Sequence, residues 1–150
     1  MEFAGVIVIY TAMSQVGTAI TAHCGASPSI HLRPAGHDAD TGANKTYWGN
    51  ITMGGGDERS DGGGGTGYIG THEMTVTVWI QDTQSDLDST TQSISTKVAA
   101  VRDALRFNTL GTYCRGGIRP EDMSPGHPVS HSDESSRYGY SFTVRVAHQY

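Results

Sequence analysis

The chain has 150 residues, of which 36% are hydrophobic and 17% charged, a length and composition that fit one compact domain and disfavour a second. Its 10 basic and 15 acidic residues give a formal charge of −5, which disfavours specific nucleic acid binding because no cationic field is available to hold phosphates. Two cysteines, Cys24 and Cys114, are too few for a disulfide framework and lack the spacing of a zinc or redox motif. We expect both to be reduced thiols.

The first apolar run, Phe3 to Tyr10, lacks the features of an export signal. Glu2 stands where a signal peptide carries a basic residue. The run is also far shorter than the roughly 20 residues that span a bilayer. We therefore expect a protein of a reducing cytoplasm, with no export and no membrane association.

Apolar residues recur at three- and four-residue steps through the first 24 positions, which predicts an N-terminal helix. Gly25 is the expected stop. The β-branched cluster Val6 to Ile9 favours a strand at the start of the same segment. The predicted helical stripe consists of Phe3, Val6 or Ile7, Tyr10, Met13, Val16, Ile20 and Cys24.

A glycine-rich segment lies between the predicted short strands and the central strand. Short strands are predicted at Ile30 to Arg33 and at Tyr47 to Met53, and residues 54–67 then hold eight glycines among fourteen residues. Such a segment buries little and loses much backbone entropy when ordered, which predicts a loop that is mobile in the free protein. Its charged residues are Asp57, Glu58, Arg59 and Asp61.

The same segment matches no ligand-binding motif. A phosphate-binding loop needs a lysine after its glycines, and none follows here. The spacing of Asp57 and Asp61 does not match a calcium-binding EF-hand loop. A solvated acidic loop is the favoured interpretation.

The clearest predicted elements occupy the second half of the chain. Strict alternation predicts a strand from Tyr68 to Ile80, with Met74, Val76, Val78 and Ile80 on one face and Glu73, Thr75, Thr77 and Trp79 on the other. A helix is predicted from about Ser85, its N-cap, to Phe107, with Leu87, Thr91, Ile94, Val98, Val101 and Leu105 on its core face. A closing strand is predicted from about Tyr138 to His148, with Phe142, Val144 and Val146 on one face. Together these elements predict a single α+β domain: an antiparallel sheet packed by the N-terminal helix and a longer central helix.

Catalytic and cofactor motifs are absent from the sequence. His127 and His131 form an HxxxH pair, but the prolines beside them disfavour the helix that would place both imidazoles on one metal. No GxSxG elbow or placed pair of titratable groups is present. Trp79, Tyr138 and Tyr140 lack the basic groove of a single-stranded nucleic acid platform. We therefore expect neither an enzyme nor a cofactor.

The central and closing segments resemble the tail terminator or tail completion proteins of long-tailed bacteriophages. The central segment is THEMTVTVWIQDTQSDLDSTTQSISTKVAAVRDAL, in which Val78 and Trp79 end the strand and Ala104 and Leu105 end the helix. The closing segment is SSRYGYSFTVRVAHQY, in which Arg137 and Gly139 precede Phe142 and Val144. The sequence departs from this outline in the long insertion 54–67 and in the polar stretch 119–136, where an assembly protein carries partner-specific loops.

This resemblance implies a structural virion protein that forms a homo-oligomeric ring, commonly a hexamer, on the head-proximal end of the tail tube. There it stops tube polymerisation and provides the joining surface for the head and neck, so its partners are the tail tube protein and the neck connector protein. DNA passes through such a ring without specific binding. On this interpretation, segment 54–67 becomes ordered in the ring or lines its lumen, and its candidate interface or lumen residues are Asp57, Glu58, Arg59 and Asp61.

Three other functions are compatible with the sequence. A neck, or head-tail connector, protein shares the subunit outline and also forms rings. A small enzyme or ligand-binding domain would assemble its site from dispersed residues such as His72, Cys114 and His131. A regulatory or toxin-like binding module of a mobile element would have a defined partner and no ring.

Overall fold

A computed structural model describes residues 4–25, 28–34, 47–60, 68–81, 86–107, 123–130 and 137–149. Its two helices and five strands form an α+β fold with a mixed sheet in the order β1-β2-β3-β5-β4. The elements are α1 Ala4–Cys24, β1 Ser29–Arg33, β2 Tyr47–Ser60, β3 Tyr68–Gln81, α2 Leu87–Phe107, β4 His127–Ser130 and β5 Arg137–Gln149. Within the described residues no helix is both long and apolar enough to cross a membrane.

The sheet departs from the predicted antiparallel arrangement at one edge. β1 pairs in parallel with β2, with Ser29 opposite Trp48 and Arg33 opposite Thr52. The other three pairings, β2 with β3, β3 with β5 and β5 with β4, are antiparallel. Alternation within a strand reports which residues share a face and carries no information on the direction of the neighbouring strand, so this edge could not be read from the sequence.

Both helices pack on the same face of the sheet, called the inner face below. Val16 of α1, Val76 of β3 and Val101 of α2 belong to one buried cluster and are each at most 1% exposed. Burying an aliphatic side chain of this kind contributes about 1.5–3 kcal/mol. The β3 and β5 alternations are confirmed on this face. The buried residues that these two alternations place on it are Met74, Val76, Val78, Ile80, Phe142, Val144 and Val146.

The N-terminal helix is confirmed, and the strand alternative for its start is wrong. Gly25 follows α1 with φ of 76°, the left-handed conformation expected at a helix C-terminus. One residue of the predicted stripe is wrong: Tyr10 is 60% exposed, whereas Met13, Val16 and Ile20 are buried. Gly17 lies against Ile30 and Ile51 because it has no side chain to hold the sheet away.

The central helix is confirmed in its bounds but not in its relative length or its first turn. α1 and α2 both have 21 residues, so α2 is not the longer helix. The N-cap is Asp86, whose carboxylate accepts hydrogen bonds from the Asp88 backbone N–H at 3.0 Å and the Ser89 hydroxyl at 2.7 Å. Ser85, the predicted cap, lies outside the described residues.

The start of α2 does not reach the core. Val98, Val101 and Leu105 are buried and Ile94 packs against the core cluster, but Leu87 is 63% exposed and Thr91 is also exposed. The predicted core face is therefore correct from Ile94 onwards. Helical spacing assigns residues to one side of a helix but does not show how far the sheet extends beneath it.

Candidate assembly surfaces

A long β-hairpin is the most prominent surface feature of the fold. β2 pairs with β3 from Tyr47 opposite Ile80 to Ser60 opposite Tyr68. The pairing continues past both edge strands, since β1 ends opposite Thr52 and β4 pairs only with residues 138–141 of β5. The hairpin and β5 therefore project as a three-stranded ribbon beyond the five-stranded part of the sheet.

A β-bulge marks the start of this ribbon. The register of β2 against β3 shifts between Met53, opposite Met74, and Gly56, opposite His72. A Cβ atom on Gly54 would collide with the Glu73 carbonyl oxygen, whereas a Cβ on Gly55 would meet nothing within 4 Å. Bulges increase strand twist and alter the direction of the strand that carries them.

The structure places three of the four candidate interface residues in a strand. Asp57, Glu58 and Arg59 lie in β2 opposite Thr71, Gly70 and Ile69, and Asp61 lies outside the described residues. The predicted loop 54–67 is therefore wrong for residues 54–60, which continue β2, and its remainder, 61–67, is outside the described residues. Pairing with β3 supplies the backbone hydrogen bonds that a glycine-rich segment lacks alone, and sequence composition does not reveal such a partner.

The ribbon has two open sides in the described part of the chain. Residues Met53–Ser60 of β2 have no described strand on the side away from β3. The same holds for residues Arg145–Gln149 of β5, because the Met123–Val144 bridge is the last described pairing on that side. Open strand edges present backbone donors and acceptors that can pair with another chain.

The sheet face away from the helices, called the outer face, is apolar at one end and charged at the other. Trp79 lies on the face predicted for it, opposite Val76 and Val78, but that face is covered at this end of the sheet, where Trp48 and Trp79 are at most 1% exposed. At the ribbon end, Arg145 Nη2 lies 3.2 Å from Glu73 Oε2, with both side chains about half exposed. The presence of one tryptophan in each of two predicted strands is a signal that could have indicated an apolar layer on this face as well.

A groove of about 770 Å³ lies between α2 and strands β4 and β5. Leu87, Ile94 and Tyr140 contribute apolar surface to it. Arg102 lies at its base, where Nη2 donates to the carbonyl oxygens of Ser124 and Pro125 and the guanidinium lies 5.0 Å from the Phe142 ring. Arg102 therefore connects α2 to the segment before β4, and its guanidinium is engaged in these structural contacts.

A cluster of three titratable side chains, Cys24, Tyr47 and Lys97, lies where α1 ends beside β2. Tyr47 is half-buried, and Lys97 Nζ lies 4.6 Å from the centre of its ring. Burial, with a smaller contribution from the nearby Cys24, raises the pKa of Tyr47 to about 12. Burial also raises the pKa of the Cys24 thiol, which lowers its thiolate fraction and its reactivity.

Of the three residues proposed for a dispersed site, only His72 is among the described residues. His72 is 2% exposed, lies on the inner face and faces Gly56 beside the bulge. Cys114 and His131 lie outside the described residues, as do all of residues 131–136 between β4 and β5. His127, the partner of His131 in the HxxxH pair, lies in β4, so the helix that a metal site of this spacing requires does not form there.

Comparison with known proteins finds a solved structure of similar fold. No protein-family model matches the chain, and no curated protein matches it. A solved structure described as "Virion of native gene transfer agent (GTA) particle" contains a chain that is 16% identical to this one. The match has a TM-score of 0.54 and covers 92% of this chain and 94% of that chain. The two chains therefore share a fold along nearly their whole lengths.

Proposed function

We propose that this chain is a structural protein of a phage-like virion, acting as a tail terminator. In this role it forms a hexameric ring on the head-proximal end of the tail tube. The ring stops tube polymerisation and offers the neck of the filled head a joining surface. The protein acts by assembly and is not an enzyme.

The observation that carries the proposal is the fold shared with a chain of the gene transfer agent virion. It extends over 92% of this chain and 94% of that one, so it concerns the whole subunit and not one common motif. The resemblance of residues 71–105 and 135–150 to tail terminator proteins is independent support, because it rests on the sequence. The tail terminator assignment depends on that resemblance, and the virion role depends on the fold.

Physical features of the subunit suit a ring around a DNA channel. A ring is built from heterologous contacts, in which two different surfaces of one subunit meet in every copy. The two open sides of the ribbon, on β2 and β5, are two such surfaces. A formal charge of −5 also opposes retention of DNA that passes through, because phosphates are repelled.

The test deletes the gene from the genome that encodes this chain and examines lysates by negative-stain electron microscopy. Overlong or irregular tails, separate from filled heads, are the expected result. Complementation with the intact gene should restore tail length, and complementation with a copy carrying an early stop codon is the matched control. Normal infectious particles in the deletion strain would remove the protein from virion assembly.

A head-tail connector in the neck is the second candidate. The description of the similar structure covers the whole particle, so the shared fold supports a neck ring as well as a tail ring. The same micrographs separate the two functions. Tails of normal length beside tailless filled heads would assign this chain to the neck.

A further inference from the structure

The ribbon carries edges of different length and charge on its two sides. The β2 edge, Met53–Ser60, contains eight residues, and the β5 edge, Arg145–Gln149, contains five. Gly54, Gly55 and Gly56 are exposed, and Met53 is 39% exposed, so the start of the β2 edge is accessible. A long accessible edge is a template for pairing with a second chain.

The charges on the two edges oppose pairing of like with like. The β2 edge carries Asp57, Glu58 and Arg59, a formal charge of −2 + 1 = −1. The β5 edge carries the exposed Arg145, whose guanidinium also pairs with Glu73 of β3, and His148. It holds no acidic residue of its own, and its formal charge is +1 with histidine neutral. Opposite charges across an interface favour the unlike pair and fix which surfaces meet.

The strand directions define how the two edges can join. β2 and β5 both run antiparallel to β3, so they run in the same direction. When two copies keep their helices on the same side of a shared sheet, β5 of one therefore meets β2 of the next as a parallel pair. The contact uses different surfaces on the two copies, so it can be repeated around a ring.

We propose that successive copies of this chain join by pairing the β5 edge Arg145–Gln149 of one copy with the β2 edge Met53–Ser60 of the next. The inference rests on the proposed ring and names the surfaces that build it. Every copy then uses both edges, and closure of the ring pairs each five-residue β5 edge with part of the longer β2 edge of the next copy. The ribbons of all copies form one continuous wall, with the helices of every copy on one side of it.

Site-directed cross-linking tests this contact. In a chain with Cys24→Ala and Cys114→Ser, a cysteine is placed on the β2 edge by Gly55→Cys and on the β5 edge by Ala147→Cys. Gly55 suits the purpose because a side chain there meets nothing within 4 Å. A short bismaleimide reagent then joins the cysteines that lie near each other in the assembled protein.

The pattern of products identifies the contact. The chain that carries both cysteines should give a ladder of linked species, whereas a mixture of the two single-cysteine chains should stop at dimers. Each single-cysteine chain alone should give no linked product. Linked dimers from a single-cysteine chain would indicate a two-fold contact and overturn the proposal, as would a doubly substituted chain that stays unlinked.

A charge-reversal series decides the question if the cysteine variants do not fold. Arg145→Glu should reduce the oligomeric fraction at least severalfold by native mass spectrometry. Asp57→Arg with Glu58→Arg in the same chain should restore it. Failure of this restoration, or a chain that remains monomeric throughout, overturns the edge pairing. Rings of normal size without cross-links would reject this contact alone, and the proposed function would still be decided by tail morphology in the deletion strain.

Discussion

Trp48 and Trp79 lie directly opposite each other on β2 and β3, with ring centroids 6.1 Å apart and ring planes 11° from parallel. Both side chains are at most 1% exposed, although they lie on the outer face of the sheet. The guanidinium of Arg137 lies 5.7 Å from the Trp48 ring. Aromatic pairs contribute about 0.5–1.5 kcal/mol beyond the burial of their area. Because both rings are buried, the pair forms a second apolar layer at this end of the outer face.

The first prediction concerns this layer. Trp79→Ala should lower the free energy of unfolding by about 3–5 kcal/mol, because it removes a fully buried aromatic side chain and leaves a cavity. Glu73→Ala is the control on the same strand and face, and it should cost less than about 1 kcal/mol because its ion pair with Arg145 is exposed to solvent. Urea titration followed by circular dichroism measures both changes. Equal effects of the two substitutions would show that Trp79 does not contribute as a core residue.

The second prediction concerns Gly139, which lies opposite Trp79 on the neighbouring strand β5. A Cβ atom on Gly139 would lie 2.7 Å from Trp79 Cε3 and 2.7 Å from Val129 Cγ2, so Gly139→Ala should destabilise the fold by about 1–3 kcal/mol through overpacking. Gly55→Ala is the matched control, because its Cβ would meet nothing within 4 Å. Thermal unfolding should show a lower midpoint for Gly139→Ala than for Gly55→Ala. The opposite order would mean that the close contact at Gly139 does not limit side-chain size.

The sequence predicted features that depend on residues close together in the chain, and it missed features that depend on residues far apart in the chain. Periodicity correctly located α1, α2, β3 and β5, because it reports which face of an element is buried. It placed Trp79 correctly on the face opposite Val76 and Val78, but alternation alone does not show that this second face is covered as well. The burial of Trp79 depends on Trp48, which lies 31 positions earlier in the chain and is aligned with it only by the β2–β3 register.

The candidate assembly surface shows the same limit. Composition identified Asp57, Glu58 and Arg59 as one charged group but assigned them to a loop, since glycine disfavours strands in isolation. In the structure β3 provides a partner for these residues as far as Ser60. The open edge of β5 could not be inferred at all, because an edge is defined by the strands that end before it and not by its own residues.

The third prediction concerns the start of α2. The Asp86 carboxylate accepts hydrogen bonds from the Asp88 backbone and the Ser89 hydroxyl, which lower the pKa of Asp86. Asp86→Ala should therefore lower the thermal midpoint more than Asp86→Asn, which retains a side-chain acceptor for the cap. Because a lowered pKa means that stability is lost as the pH falls through it, the difference between wild type and Asp86→Asn should narrow in acid. Identical midpoints for the alanine and asparagine variants at neutral pH would contradict the capping role.

The last prediction concerns the alkaline limit of stability. The pKa of Tyr47 is raised from 10.0 to about 12, first by burial and second by the nearby Cys24. Since the folded state holds this proton more tightly than the unfolded state, the contribution is fully present below about pH 10 and is lost as the pH rises towards about 12. Tyr47→Phe keeps the ring beneath Lys97 but removes the ionisable hydroxyl, so the variant should lose less stability than wild type across this interval. Tyr10→Phe, at an exposed tyrosine, should follow the wild-type profile. Urea unfolding at a series of alkaline pH values measures the three profiles, and parallel curves for Tyr47→Phe and wild type would show that burial of this phenol does not couple folding to its proton.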